Sequence, residues 1–327
     1  MKQATFKTRV TVAATALLAS AAMFAAPAAQ AAWEPTKPVE FVVPAGTGGG
    51  ADQMARLIQG IVVKHNLMKE PLVVVNRSGG AGAEGFLDVK NSKGDPHKLV
   101  ITLSNLFTTP LATGVPFNWR DMTPVSMMAL DNFVLWVNAE KPYKSAKEYF
   151  DAVKAAGPSK MKMGGTGSKQ EDQILTVGVE KATGTKFIYV PFKGGGEAIA
   201  AIIGGHVTAG VSGLGEFAEQ IKGKRMRALA VSSPEPIDGI PTMKEQGVDV
   251  VLGNWRGCFG GPSLSTEQRD TLVAAVRKAT ETKSWKDTLE KFGWTPWFMG
   301  GDEYKKFLDE DIKRVGGILR NLGLVKT

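Results

Sequence analysis

Apolar and polar positions alternate along this chain in two rhythms, and the switch between them repeats. Val39-Glu40-Phe41-Val42-Val43 is a β-rich run that stops at Pro44. Ala45-Gly46-Thr47-Gly48-Gly49-Gly50 follows, too rich in glycine for any regular element. From about Asp52 the apolar residues Met54, Leu57, Ile58, Ile61 and Val62 fall at helical spacing. Asp52 stands in that helix's first turn, where a carboxylate suits the helix dipole.

The same grammar recurs. Leu72 to Val75 predicts a buried strand, followed by the loop Gly79-Gly80-Ala81-Gly82 and a helical segment ending at Asn91. Leu99 to Leu103 predicts a third strand, ending in the polar loop Ser104-Asn105. Phe133 to Val137 predicts another, and Ser145 caps an amphipathic helix to Ala156 with Glu148 at the capping-box position. In the second half, Met161 to Met163 leads into Gly164-Gly165-Thr166-Gly167-Ser168 and a helix. Phe187 to Val190 leads into Lys193-Gly194-Gly195-Gly196 and a helix, and Thr208 to Val211 into Ser212-Gly213-Leu214-Gly215 and a helix. Arg227 to Ser232 predicts a further strand, with helices over 266–282 and 303–322. Strands alternating with helices imply an α/β fold of doubly wound, mostly parallel sheets. No low-complexity linker separates the halves, so the chain is expected to cross between two lobes more than once.

The first residues stand apart. Lys2, Lys7 and Arg9 precede an apolar run from Val10 to Phe24, and Ala29-Gln30-Ala31 fits signal peptidase, so residues 1–31 are expected to be a signal peptide. The run is shorter than the roughly 20 residues of a spanning helix. Its removal takes the net charge from +8 to about +5. The remaining charges are scattered, with none of the basic blocks of a nucleic-acid arm. Cys258 is the only cysteine, which excludes an internal disulfide, and its apolar surroundings predict a buried, inert thiol.

Glycine loops at strand C-termini, just before helices, lie where open α/β sheets bind ligands. Their bare N–H groups and the helix N-termini make anion sites. Gly46 to Gly50, Gly79 to Gly82, Gly164 to Ser168 and Gly194 to Gly196 are four such loops, and together they suggest a cleft for a small molecule with more than one carboxylate. Enzyme readings fare worse. Gly46 to Ala51 matches G-x-G-x-x-G/A, but the second strand ends at Val75-Asn76-Arg77 without the acidic residue that fingerprint needs. No P-loop occurs. Gly210-Val211-Ser212-Gly213 is not a nucleophile elbow. His65, His97 and His206 have no metal-ligand spacing to one another or to Cys258. Glu171-Asp172 opens a helix, where the dipole accounts for it. No catalytic residue, metal or cofactor is expected.

Val42-Val43-Pro44 with its glycine loop and Asp52, Val75-Asn76-Arg77 with Gly79 to Gly82, Tyr189-Val190-Pro191-Phe192-Lys193-Gly194 and Gly204-Gly205-His206-Val207 form a recognisable set. Ala228 to Ser232 and Pro241-Thr242 join it. From Pro38 onward the chain resembles the substrate-binding receptors of tripartite tricarboxylate transporters, also called Bug proteins. Gly165 to Ser168 with Glu171-Asp172, Val211 to Glu216, and Asn254-Trp255-Arg256-Gly257 are similar to the tricarboxylate-type branch. Two departures are Ala45-Gly46-Thr47-Gly48-Gly49, where many members have Pro-Pro-Gly-Gly, and Thr208, where many have Asp.

The resemblance implies a type II periplasmic-binding-protein fold with a ligand cleft, lobe 1 being 32–134 plus 255–327 and lobe 2 being 135–254. It implies a periplasmic, non-enzymatic receptor for a small di- or tricarboxylate, citrate-like, that delivers it to a membrane permease. The family holds one carboxylate end through two ordered waters and loop amides, here Gly46, Thr47, Gly48 and Gly49 together with Ser78, Gly80 and Gly82. Thr166, Ser168, Gly194, Gly195 and Glu197 would face them from the other lobe. Ser104, Asn105 and Ser212 are added because each ends a strand on the binding edge, and Arg256 because guanidinium matches a third carboxylate. A salt bridge near the hinge is the competing role for Arg256. A receptor for an aromatic or monocarboxylic acid, walled by Phe107, Phe133 and Trp255, is the alternative within the class. A ligand sensor for a signalling partner is another. The protein is expected to be a monomer.

Overall fold

Most strands here contain buried positions, and the alternation within single strands shows why. The computed structural model describes residues 33–321 and Gly323. The expected signal segment lies outside them. The elements run β1 (Val39–Val43), α1 (Gly50–Lys64), β2 (Leu72–Asn76), α2 (Ala83–Lys90), β3 (Lys98–Thr102), α3 (Asn105–Thr113) and β4 (Thr123–Asn138). They continue with α4 (Ala146–Ala156), β5 (Lys162–Thr166), α5 (Glu171–Thr183), β6 (Ile188–Phe192), α6 (Gly195–Ile203), β7 (Ala209–Gly213), α7 (Ala218–Lys222) and β8 (Met226–Val231). The last are β9 (Gly253–Gly260), α8 (Thr266–Glu281), α9 (Lys283–Phe292), β10 (Thr295–Gly300) and α10 (Gly301–Asn321).

The strands form two sheets that share β4. In the first, β1 pairs in parallel with β2 and β3, and the antiparallel β9 joins β3 to the first half of β4. In the second, β5 pairs in parallel with β6 and β7, and β7 and β8 flank the second half of β4. The doubly wound expectation holds for the outer strands. The centre departs from it, because β4 and β9 run antiparallel to their neighbours and β10 pairs antiparallel with β4.

Val39, Phe41 and Val43 point from β1 into one core cluster with Met54 and Ile58 of α1, while Val42 points the other way toward Phe86 and Phe259. In β4, Phe133, Leu135 and Val137 join one cluster of the second sheet, and Val134 and Trp136 the other. A strand covered by helices on both faces must be apolar at every position, not at alternate ones. That is why these runs are continuous in sequence.

Local caps follow the sequence with one change. Ser145 accepts from Glu148 N at 3.1 Å as expected, but Glu148 Oε2 accepts from Lys144 N at 2.8 Å rather than closing the box on Ser145. Among the described residues no helix is long and apolar enough to cross a membrane, and no group of three His, Cys, Asp or Glu could hold a metal ion.

Candidate functional site

A cavity of about 360 Å³ opens where the strand C-termini of the two sheets face each other. From the first sheet its wall takes the loop after β1 at Gly49 and Gly50, the loop after β2 at Ser78 and Gly82, and Asn105 at the start of α3. From the second it takes Thr166, Gly167 and Ser168 after β5, the α5 start at Gln170 to Asp172, and Lys193, Gly194 and Glu197 at α6. Phe133, Asn254 and Arg256 come from the shared and crossing strands, and Glu216 from the turn after β7.

Gly49, Ser78, Gly82, Asn105, Thr166, Ser168, Gly194, Glu197 and Arg256 are therefore in the wall, as the sequence suggests. Gly46, Thr47, Gly48, Asp52, Gly80, Ser104, Gly195 and Ser212 are not, and each has other work. Gly46 N donates to the Lys193 carbonyl at 2.9 Å, so the first and fourth glycine-rich loops touch directly. A Cβ on Gly194 would lie 2.9 Å from the Gly46 carbonyl carbon, closer than real side chains come. A Cβ on Gly196 would lie 3.3 Å from the Thr47 carbonyl, part of the same contact. Gly48 N donates to Asp52 Oδ2 at 3.0 Å, and Asp52 also accepts from Arg56 and Asn76. Burial raises the Asp52 carboxyl, but hydrogen bonds from Arg56, Gly48 and Asn76 outweigh it and hold it below the ordinary value. Asp52 is thus a loop and helix clamp. Gly80 turns the second loop at φ +61°. Ser104 Oγ is bonded to Glu171 Oε1 at 2.5 Å. Gly195 packs on Glu216, and Ser212 is buried in β7.

Arg256 is in the wall but not unclaimed. Its Nε lies 3.0 Å from Asp131 Oδ2, its Nη2 bonds the same oxygen, and both side chains are buried. Asp131 already balances the charge that a third ligand carboxylate would need. Of the aromatic candidates only Phe133 lines the cavity; Phe107 and Trp255 pack against each other in the core with ring centroids 5.9 Å apart.

Three acids of the wall, Glu171, Asp172 and Glu216, were given no ligand role by the sequence. Glu171 and Asp172 are 6 % and 4 % exposed, so they are cavity groups and not only dipole partners. Asp172 Oδ2 accepts from Thr166 N at 2.6 Å and Thr166 Oγ1 at 2.9 Å. Burial pushes Glu171 up to about 7 against the hydrogen bond from Ser104. Burial pushes Glu216 up to about 7 as well, with Arg256 pulling it back. Asp172 stands well above the carboxylate range, from burial and then from the nearby Glu216 charge. Glu216 Oε2 is buried with no hydrogen-bond partner. Gln170 ties the two sides together, its Nε2 donating to the Ala81 carbonyl at 2.8 Å and to Thr109 Oγ1 at 3.2 Å.

This arrangement offers backbone amides, hydroxyls and buried acids around a small volume. Known proteins place it. The chain is 27 % identical over 300 residues to protein BugT of Bordetella pertussis, covering 88 % of this chain and 90 % of that one. It is similar to the structure of a TctC solute binding protein from Polaromonas at 28 % identity and TM-score 0.62, covering 88 % and 99 % of the two chains. In fold it is similar to the R. palustris protein Rpa4515, solved with adipate, at TM-score 0.82 and 23 % identity over 88 % and 98 %. The model of the tripartite tricarboxylate transporter family receptor matches residues 54–324, and the chain belongs to that receptor family.

Proposed function

We propose that this protein is a periplasmic receptor that captures a small carboxylate between two lobes, 32–134 plus 255–327 and 135–254, and delivers it to a tripartite permease. The observation that carries the reading is the meeting of glycine loops from both sheets around one cavity, at the edge where strand ends and helix N-termini present N–H groups. A ligand that bridges both sides gains contacts only when they come together, so it shifts the hinge equilibrium toward the closed form. The closed form then docks on the permease as a monomer.

Of the expected ligands, citrate-like tricarboxylates are the least favoured by this wall, because Asp131 already occupies Arg256. An aromatic acid finds two rings in the wall, Phe133 and Phe192, but Phe107 and Trp255, the other expected stacking groups, are in the core. A mono- or dicarboxylate fits best.

A thermal-shift screen of the mature chain, unfolded and refolded to strip bound ligand, tests this. The panel is citrate, tricarballylate, succinate, malate, glutamate, adipate, benzoate and terephthalate. A ligand at 100 times its Kd stabilises the native state by about 2.7 kcal/mol. A shift with at least one aliphatic acid is expected. No shift across the panel overturns the carboxylate reading.

A further inference from the structure

The cavity has a polarity that a carboxylate receptor does not need for its ligand's anionic end. Glu171 and Asp172 at the start of α5 and Glu216 after β7 all contribute to the wall. Lys193 and Glu197, the charged wall groups of α6, are exposed, and Lys193 N is bonded to Glu197 Oε2 at 3.1 Å. Arg256 from β9 is the buried cation of the wall, and Asp131 of β4 neutralises it. Glu171, Asp172 and Glu216 therefore share a small volume whose one buried cation, Arg256, acts on Glu171 and Glu216 but is hydrogen-bonded to Asp131.

The three acids are also held in place. Ser104 fixes Glu171, Thr166 fixes Asp172 through two hydrogen bonds, and Gly195 leaves just enough room for Glu216 Oε2, which has no protein partner. A second ligand carboxylate brought here would face like charges at low dielectric, which disfavours ionisation of one side or the other. A group that donates hydrogen bonds would instead meet acceptors.

Resting on the carboxylate-receptor reading, we infer that this wall selects against a second negative charge: the ligand is a monocarboxylate whose far end donates hydrogen bonds, as an amide or ammonium does, and Glu171, Asp172 and Glu216 set that preference. The single carboxylate sits at the loop amides, and the donor end points to the three acids. Asp172 responds to the charges of Glu216 and Glu171, Glu171 and Glu216 respond to Arg256, Asp172 also faces Tyr189, and Asp131 faces Glu216. A dianion binds only as protons are taken up by this group, so its affinity falls as pH rises, while that of the donor-ended acid does not.

The test is calorimetric titration of the refolded mature protein with matched four-, five- and six-carbon acids. Each length is offered as the dicarboxylate, the monoamide and the ω-amino acid, with the plain fatty acid as control. The monoamide or ω-amino acid of the best length is expected to bind at least about tenfold tighter than its dicarboxylate at pH 7.5, from the charge of the site. It should also bind tighter than the plain acid. The dicarboxylate should weaken from pH 6 to pH 8, and Glu216→Gln or Glu171→Gln should narrow the gap. A dicarboxylate that binds at least as tightly as its amide and amine partners, with no change in the Gln variants, overturns the inference and leaves the carboxylate receptor standing. Equal binding of the plain acid overturns the donor end. No binding by any member removes the carboxylate reading and this inference with it.

Discussion

The Asp131–Arg256 pair allows a sharp test of what holds the centre of the molecule. The two residues come from β4 and β9 where these strands lie side by side, in the register Ala129 to Arg256 and Asp131 to Asn254. They are 1 % and 3 % exposed. Asp131→Ala leaves a buried guanidinium without its hydrogen-bonded counter-charge, with only the more distant Glu216 and Glu171 to offset it, and removing one partner of a buried pair costs about 3–5 kcal/mol. Arg256→Met costs a similar amount at pH 7, because the stranded carboxyl must be kept charged or take up a proton. Burial already raises Asp131 while Arg256 pulls it back. Without Arg256 the folded-state value rises further above the unfolded one. The Arg256→Met protein therefore recovers stability as pH falls, and loses it as pH rises through the folded value. The double variant Asp131→Leu with Arg256→Met strands no charge, and replacement of a buried pair by apolar groups is often neutral. Urea unfolding followed by tryptophan fluorescence reads all four proteins. A cycle in which the two single costs simply add, to about 6–10 kcal/mol in the double variant, refutes the argument.

Other consequences are separable. Glu171 and Glu216 are held at about 7 against an ordinary 4.5, so the native state loses stability as pH rises from about 4.5 through 7, by up to about 3 kcal/mol for each, of which about 1 kcal/mol falls between pH 6 and 8; Gln at either position should flatten the profile, and stability that climbs over this range would contradict the placement of the acids. Gly195→Ala puts a Cβ against Glu216 Oε2 and 3.2 Å from the Gly48 carbonyl, and should cost about 1–3 kcal/mol. Gly60→Ala, in the interior of α1 with open space around it, should gain about 0.5–1 kcal/mol; melting temperatures compare the two. Cys258 is buried and its thiol is pushed up to about 11 by burial, so a thiol reagent should label it only on unfolding, and rapid labelling of native protein would be the wrong result.

The parallel outer strands and their glycine loops were legible because each is a short apolar run closed by a turn residue. The crossing strands were not. Only Phe133 to Val137 of β4 reads as a strand, since its first half contains Pro124, Ser126 and Asp131, whose partners lie far off in sequence. β9 hides for the same reason, with Asn254, Arg256 and Gly257 inside it. α3 carries Thr108, Thr109 and an internal Pro110, and reads as a loop from Ser104 onward. The site followed suit. Loop positions could be named from local pattern. What turns Glu171 into a cavity group is Ser104, 67 residues away, and what occupies Arg256 is Asp131, 125 residues away. At the level of sequence the helix dipole was a sufficient account of Glu171-Asp172, so nothing local signalled the second role.

These long-range contacts also bear on why closure should need a ligand. The contacts that join the two sides at the cavity are polar, namely Gly46 to Lys193, Gln170 to Ala81 and Thr109, and Ser104 to Glu171, while away from it Ile174 packs on Val315 and Leu319. Each such hydrogen bond nets only about 0.5–1.5 kcal/mol, since water serves the same groups when they part. Against them stands the burial of Glu171, Asp172 and Glu216, whose raised proton affinities measure how unfavourable their charged forms are in the cavity. Gly46 and Gly194 let the backbones meet without a side chain between them, so they set how far the sides can approach and how small the cavity becomes. They add little apolar burial of their own. If the two sides open and close as proposed, a ligand that satisfies the acids and the loop amides together supplies the differential affinity for the closed form that such a shift needs.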